Sequence, residues 1–66
     1  MINKGTRVIV DKGDFARYEG RVVEVKKGEA FEVFCYYVRV YHAEGTVLAA
    51  IPPDNLAEIE VYYTRV

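Results

Sequence analysis

Two apolar runs joined by a short glycine-containing connection constrain this 66-residue chain more than any other feature. Residues 20–26 contain three valines, and residues 31–41 are dominated by aromatic and β-branched side chains, a composition typical of β-strands. The connection at residues 26–30 includes Gly28 and is short enough for the two runs to fold back on each other. The sequence therefore predicts a β-hairpin whose apolar faces the rest of the chain must cover.

A first strand is predicted to precede this hairpin, at residues 5–11. Val8 and Val10 alternate there, so their side chains share one face of the strand. Residues 11–14 have the composition of a turn. The following residues 15–19 have neither strand alternation nor the length of a stable helix, and we expect a curled loop.

Two strands and a helical turn are predicted to follow the hairpin. A tight turn at residues 42–45 leads into a fourth strand at residues 46–51, which the next two prolines end. Asn55 and Glu58 have the spacing of a capping box, so residues 54–58 predict a short 3-10 turn. A last strand is expected at residues 59–62, with a tail at 63–66.

These five short strands predict an all-β fold, a small barrel with one 3-10 turn before its last strand. Val22, Val23 and Val25 are too many for one face, so the second strand is expected to bend, with Gly20 permitting the bend. Alternation places the barrel core at Val8, Val10, Val25, Phe34, Val38, Val40, Leu56 and Ile59.

Length and charge limit the classes of function that this chain can serve. Sixty-six residues make one domain, 1–66, with a small core. Nine basic and ten acidic side chains give a net charge of −1, without the positive excess that binds nucleic acid or anionic membranes. No apolar run approaches the length of a membrane helix. The lone Cys35 cannot form an intramolecular disulfide, and a cytoplasmic location is expected.

The sequence predicts no catalytic, cofactor or metal site. The chain has no serine, and Cys35 and His42 form its only nucleophile–base pair. Seven residues of extended strand separate these two side chains by roughly 23 Å, too far for a dyad. A single histidine, a single cysteine and scattered carboxylates do not have the spacing of a zinc or calcium site.

The third predicted strand suggests where a partner protein or a second copy binds. Both of its faces are apolar, whereas a closed barrel buries one. If the face with Phe34 points inward, the outer face concentrates the aromatic and arginine side chains typical of interface anchors. The alternative is that loops or the tail cover this face within the monomer. The predicted partner-binding residues are Phe31, Val33, Tyr37, Arg39 and Tyr41, extended by Tyr62 and Tyr63.

The chain resembles the Src-homology-3-like (SH3-like) barrel superfamily over residues 5–62. Pro53 and Asn55 are similar to the Pro-x-Asn turn before the last strand of that superfamily, and the loop after the first strand lies where its RT loop belongs. The resemblance implies a binding module. In its peptide-binding members a groove of aromatic and proline residues holds proline-rich ligands, which implies an alternative groove at Phe15, Tyr18 and Pro53, without the tryptophan of that family.

A second resemblance is to the KOW-type segment of ribosomal and transcription-elongation proteins. Gly5-Thr-Arg-Val-Ile-Val, the loop after it and Gly20-Arg-Val-Val-Glu-Val are similar to the strand–loop–strand of that segment and its central glycine. This resemblance implies a nucleic-acid-binding barrel, here a weak one. Its candidate phosphate contacts are Arg17, Arg21, Lys26 and Lys27.

A third resemblance includes two groups of small barrels. Type II dihydrofolate reductase is similar in length and in Gly5-Thr-Arg-Val, but Val47-Leu-Ala-Ala50 stands in place of its active-site Val-Gln-Ile-Tyr. Barrel-type accessory subunits of electron-transfer complexes are the other group, and they imply a small-subunit role. The sequence thus favours a non-catalytic protein–protein interaction module, with nucleic-acid binding second and an enzyme a distant third.

Overall fold

A single antiparallel sheet forms the fold in the computed structural model of the protein, which describes residues 2–59. The strands are β1 (Arg7–Val10), β2 (Glu19–Lys27), β3 (Val33–His42), β4 (Gly45–Ile51) and β5 (Leu56–Glu58), and a 3-10 turn at Pro53–Asn55 precedes β5. The sheet order is β4-β3-β2-β1-β5. Within the described residues β4 and β5 do not pair with each other, so the sheet is open. The predicted all-β class, the five strands and the 3-10 turn are confirmed.

The last strand begins three residues earlier than predicted. Pro53 starts the 3-10 turn immediately, and the turn closes when the Asn55 N–H donates to the Pro52 carbonyl at 3.0 Å. Leu56 is therefore already extended and pairs with Val10 of β1. The predicted capping box at Asn55 is wrong, because Asn55 is the last residue of the turn. Ile59 continues the pairing through its N–H to the Arg7 carbonyl, and residues 60–66, with most of the predicted last strand, lie outside the described part.

Two register shifts interrupt the hairpin of β2 and β3. One lies between Val22 and Glu24, which leaves Val23 as the extra residue of β2. Val22 and Val25 both face the core as a result, and this shift explains how β2 carries three valines. The second lies at Lys26 and Lys27, opposite Cys35 and Val33, and leaves Phe34 as the extra residue of β3.

Gly20 has a different role from the predicted bend. A Cβ atom at this position would lie 2.6 Å from the Arg39 carbonyl oxygen and 2.8 Å from Cγ1 of Val38. The glycine therefore lets β2 approach β3 closely where Gly20 pairs with Val40. The register shift of β2 lies farther along the strand, at Val23.

The core lies on one face of the curved sheet and consists mainly of valine. Five of the eight predicted core residues are buried there, and Val25 and Ile59 are half-buried. Phe34 was expected in the core, but its side chain is 66% exposed, because the register shift at this residue breaks the alternation of β3. The buried cluster consists of Val8, Val10, Val22, Tyr36, Val38, Val40, Ile51 and Leu56.

The loop between β1 and β2 is curled, as predicted, and contains no helix. Val10, the last residue of β1, holds the far end of the loop with two hydrogen bonds. Its N–H donates to the Tyr18 carbonyl, and its carbonyl accepts from the Arg17 N–H. Arg17 takes the left-handed conformation, with φ 76°, to close this loop. The Asp11 N–H donates to the Asn55 carbonyl at 2.7 Å and ties the loop to the 3-10 turn. Across residues 2–59 the structure contains no helix of a length and apolarity that would cross a membrane.

Candidate interaction surface

The outer face of β3, opposite the core, carries three of the predicted partner-binding residues. Val38 and Val40 are fully buried, and successive side chains of a strand point to opposite faces, so their neighbours point outward. Tyr37 is half-buried there, while Arg39 is exposed and Tyr41 is 43% exposed. These three side chains form a row along the middle of the sheet.

β4 contributes a second apolar row beside the first. Ala50 lies opposite Tyr37, and Leu48 lies opposite Arg39 in the ladder between β3 and β4. Leu48 is 63% exposed and lies beside the β3 row, so it adds apolar area to a continuous surface. Directly opposite side chains of an antiparallel pair are about 5 Å apart, so the two rows form one surface. We call this surface the outer patch: Tyr37, Arg39, Tyr41, Leu48 and Ala50.

One positive charge lies at the centre of the outer patch. Arg39 lies opposite Arg21 of β2, but the Arg21 guanidinium donates to the Gly5 carbonyl at 2.9 Å. Arg39 itself has no ion pair within residues 2–59. A guanidinium among tyrosines, without a partner in the described chain, has all its hydrogen-bond donors available for a carboxylate or a carbonyl.

The remaining predicted partner-binding residues are elsewhere. Phe31 lies in the turn between β2 and β3, where it is 81% exposed and has φ 64°. Val33 is half-buried and packs against the core, on the face of the sheet opposite to the predicted one. The extra residue Phe34 reverses the alternation of β3, so the Val33 side chain points to the core side. Phe31 and Val33 line a cleft at this end of the sheet together with Tyr36. Tyr62 and Tyr63 fall outside the described residues.

Sequence reasoning missed the β4 half of the outer patch. The prediction of β4 as a strand did not say which of its residues face outward. The relevant signal is present in the sequence, because Gly45–Ile51 has no charged residue to mark a solvent face. In such a strand both faces are apolar, and one of them must remain outside the core.

The alternative groove is only partly assembled. Phe15 lines a groove between the loop after β1 and the end of β4, in which Pro52 rather than Pro53 takes part. Tyr18 instead packs against the His42 ring, with 5.0 Å between the ring centroids. The structure therefore places Phe15 and Tyr18 in different surroundings.

The four candidate phosphate contacts do not form a single stripe. Arg17 lies in the loop after β1, and Arg21 lies on β2, where it binds the Gly5 carbonyl. Lys26 and Lys27 are neighbours at the end of β2, where adjacent side chains point to opposite faces.

Neither Cys35 nor His42 belongs to a cluster of metal-binding or nucleophilic residues. Cys35 is buried, and His42 accepts a hydrogen bond on Nδ1 from the Glu44 N–H at 3.4 Å. Across residues 2–59, no three histidine, cysteine, aspartate or glutamate side chains lie together as metal ligands would.

The chain matches no protein-family model, and neither a curated protein nor a solved structure is significantly similar to it. Its function has to be inferred from its own surfaces.

Proposed function

We propose that the protein is a non-catalytic interaction module that binds a partner protein through the outer patch. The observation that carries this proposal is the exposure of Leu48 and Tyr41 around Arg39 on the face opposite the core, where Arg39 has no ion pair within residues 2–59. Tyrosine and arginine are enriched in the energetic centres of interfaces, because they combine apolar area with hydrogen-bonding groups. A partner with an apolar surface and an acidic residue fits this patch.

We further propose that this sheet, which is open between β4 and β5 in residues 2–59, has the fold of an SH3-like barrel. We also propose that the protein acts in the cytoplasm. The long curled loop after β1 and the 3-10 turn directly before β5 support the barrel. Pro53 and Asn55, on which the superfamily resemblance rests, are the first and last residues of that turn, and this supports the proposal. The single buried thiol of Cys35 fits a reducing compartment.

Affinity purification with a patch variant tests this function. The immobilised protein is incubated with lysate of the source cells, and retained proteins are identified by mass spectrometry. The Arg39→Ser/Tyr41→Ser variant should lose a partner that the wild type retains. Phe34→Ser is the control, because Phe34 is also an exposed aromatic side chain but lies outside the outer patch. Equal retention by all three proteins would refute the proposed surface, provided that their melting temperatures show intact folds.

A further inference from the structure

Within residues 2–59, β4 is a long edge strand whose outer edge has no strand beside it. It pairs with β3 along its seven residues and with no other strand in the part of the chain that is described. Alternate backbone N–H and C=O groups along its other edge are therefore available to a further strand. The other edge strand of the sheet, β5, has three residues.

β4 lacks the features by which edge strands usually avoid pairing. Natural edge strands carry charged residues, prolines or bulges, or they are short. Gly45–Ile51 contains no charged residue and no proline, and its register with β3 is uninterrupted.

The order of side chains in β4 is complementary to the same strand in reverse. Antiparallel pairing of two copies about a two-fold axis at Leu48, the middle residue, would use the whole strand and exclude Pro52. Leu48 then meets its own copy at the axis, and every other larger side chain lies opposite a small one: Val47 opposite Ala49, Thr46 opposite Ala50, and Ile51 opposite Gly45. No like charges meet, because the strand carries none.

The exposure of Val47 agrees with this arrangement. Val47 lies opposite the fully buried Val40 and thus on the core side of the sheet, yet it is 40% exposed. Its position at the edge leaves one flank open, and the β4 strand of a second copy would cover that flank.

We propose that β4 pairs antiparallel with β4 of a second copy about an axis at Leu48, which joins two five-stranded sheets into one. An interface with this symmetry uses the same surface on both copies and closes on itself as a dimer. The proposal goes beyond the function above, because the contact is made by the backbone edge of β4. Leu48 and Ala50 also belong to the outer patch, whereas Arg39 and Tyr41 lie on β3 and take no part in the pairing.

Cysteine cross-linking tests the pairing and its register together. Under mild oxidation, Leu48→Cys should form a covalent dimer, because the two thiols face each other across the axis. Thr46→Cys and Ala50→Cys alone should form several-fold less, because each residue and its copy are about 14 Å apart along the strands. The Thr46→Cys/Ala50→Cys double variant should recover the dimer. The wild type controls for Cys35, which is buried.

The second measurement is the oligomeric state of variants that carry an added charge. In sedimentation velocity the wild type should show a concentration-dependent dimer, and Leu48→Lys should be monomeric, because it places two like charges opposite each other. Phe34→Lys adds the same charge outside β4 and should still dimerise. A monomeric wild type at every concentration, or equal cross-linking of Leu48→Cys and Thr46→Cys, would overturn the proposal. Arg39→Ser/Tyr41→Ser, which loses the outer patch, should remain dimeric, so the two proposals fail separately.

Discussion

Val38 and Phe34, two apolar residues of β3, should differ sharply in what they contribute to stability. Val38 is fully buried, and Val38→Ala should lower the free energy of unfolding by about 1–3 kcal/mol through lost burial and a residual cavity. Phe34→Ala removes more atoms from a side chain that is 66% exposed, and it should cost less than about 0.5 kcal/mol. Urea unfolding of both variants checks this order, and the opposite order would restore Phe34 to the core.

At Gly20 even the addition of one methyl group should lower the stability of the protein. Gly20→Ala brings a methyl group against the Arg39 carbonyl and Val38, so either the strands separate or the side chain moves. We expect a loss of about 1–3 kcal/mol, typical of overpacking. Gly28→Ala is the matched control, because the added methyl meets only the flexible carboxylate end of Glu32. If thermal unfolding shows equal effects at the two glycines, the close approach of β2 to β3 is not what requires Gly20.

At the scale of the element, the turn between β2 and β3 holds a residue in an unfavourable backbone conformation. Phe31 has φ 64°, a left-handed value that costs a non-glycine residue about 1–2 kcal/mol. Its side chain is 81% exposed and contributes little burial. Phe31→Gly should therefore stabilise the protein by about 0.5–1 kcal/mol after the entropy cost of glycine. The control Ala30→Gly, one residue earlier, should destabilise it, and differential scanning calorimetry distinguishes the two signs.

The elements were predictable from the sequence to the extent that their signals are local. The alternation of Val8 and Val10 predicted β1, and the prolines after Ile51 predicted the end of β4. The 3-10 turn was predicted from a capping box that the structure does not have. The face assignment of Val33 and Phe34 was wrong, because a register shift depends on the pairing of two strands and leaves no mark in either one alone. The start of β5 depended likewise on its contact with β1.

The candidate site was likewise predictable only where its signal lies within one strand. The outward direction of Tyr37, Arg39 and Tyr41 was predicted correctly, because the uninterrupted alternation from Val38 to Val40 determines it. Leu48 was missed, since only the ladder between β3 and β4 shows that it lies beside Arg39. Pairing between strands is a long-range property, and this site is built across two of them.

For the molecule as a whole, the distribution of charge should exclude tight binding of nucleic acid. The net charge is −1, and the four candidate basic residues do not lie on one stripe. We expect no more than weak, salt-sensitive binding of duplex DNA or RNA at physiological salt. Fluorescence anisotropy with labelled duplexes measures it. Sub-micromolar binding that Arg17→Glu or Lys27→Glu abolishes would contradict this expectation and favour the KOW-type resemblance.

The extra residue of β2 also determines where the chain tolerates a change of length. Val22 lies opposite Val38 and Glu24 opposite Tyr37, so deletion of Val23 would leave a regular ladder with every neighbouring side chain on its present face. Deletion of Ala49 from the uninterrupted β4 would turn the residues on one side of the gap to the wrong face. We expect the Val23 deletion to fold and the Ala49 deletion to fail, as circular dichroism would show. In the evolution of this chain, single-codon insertions and deletions should therefore accumulate in β2, while β4 keeps its length.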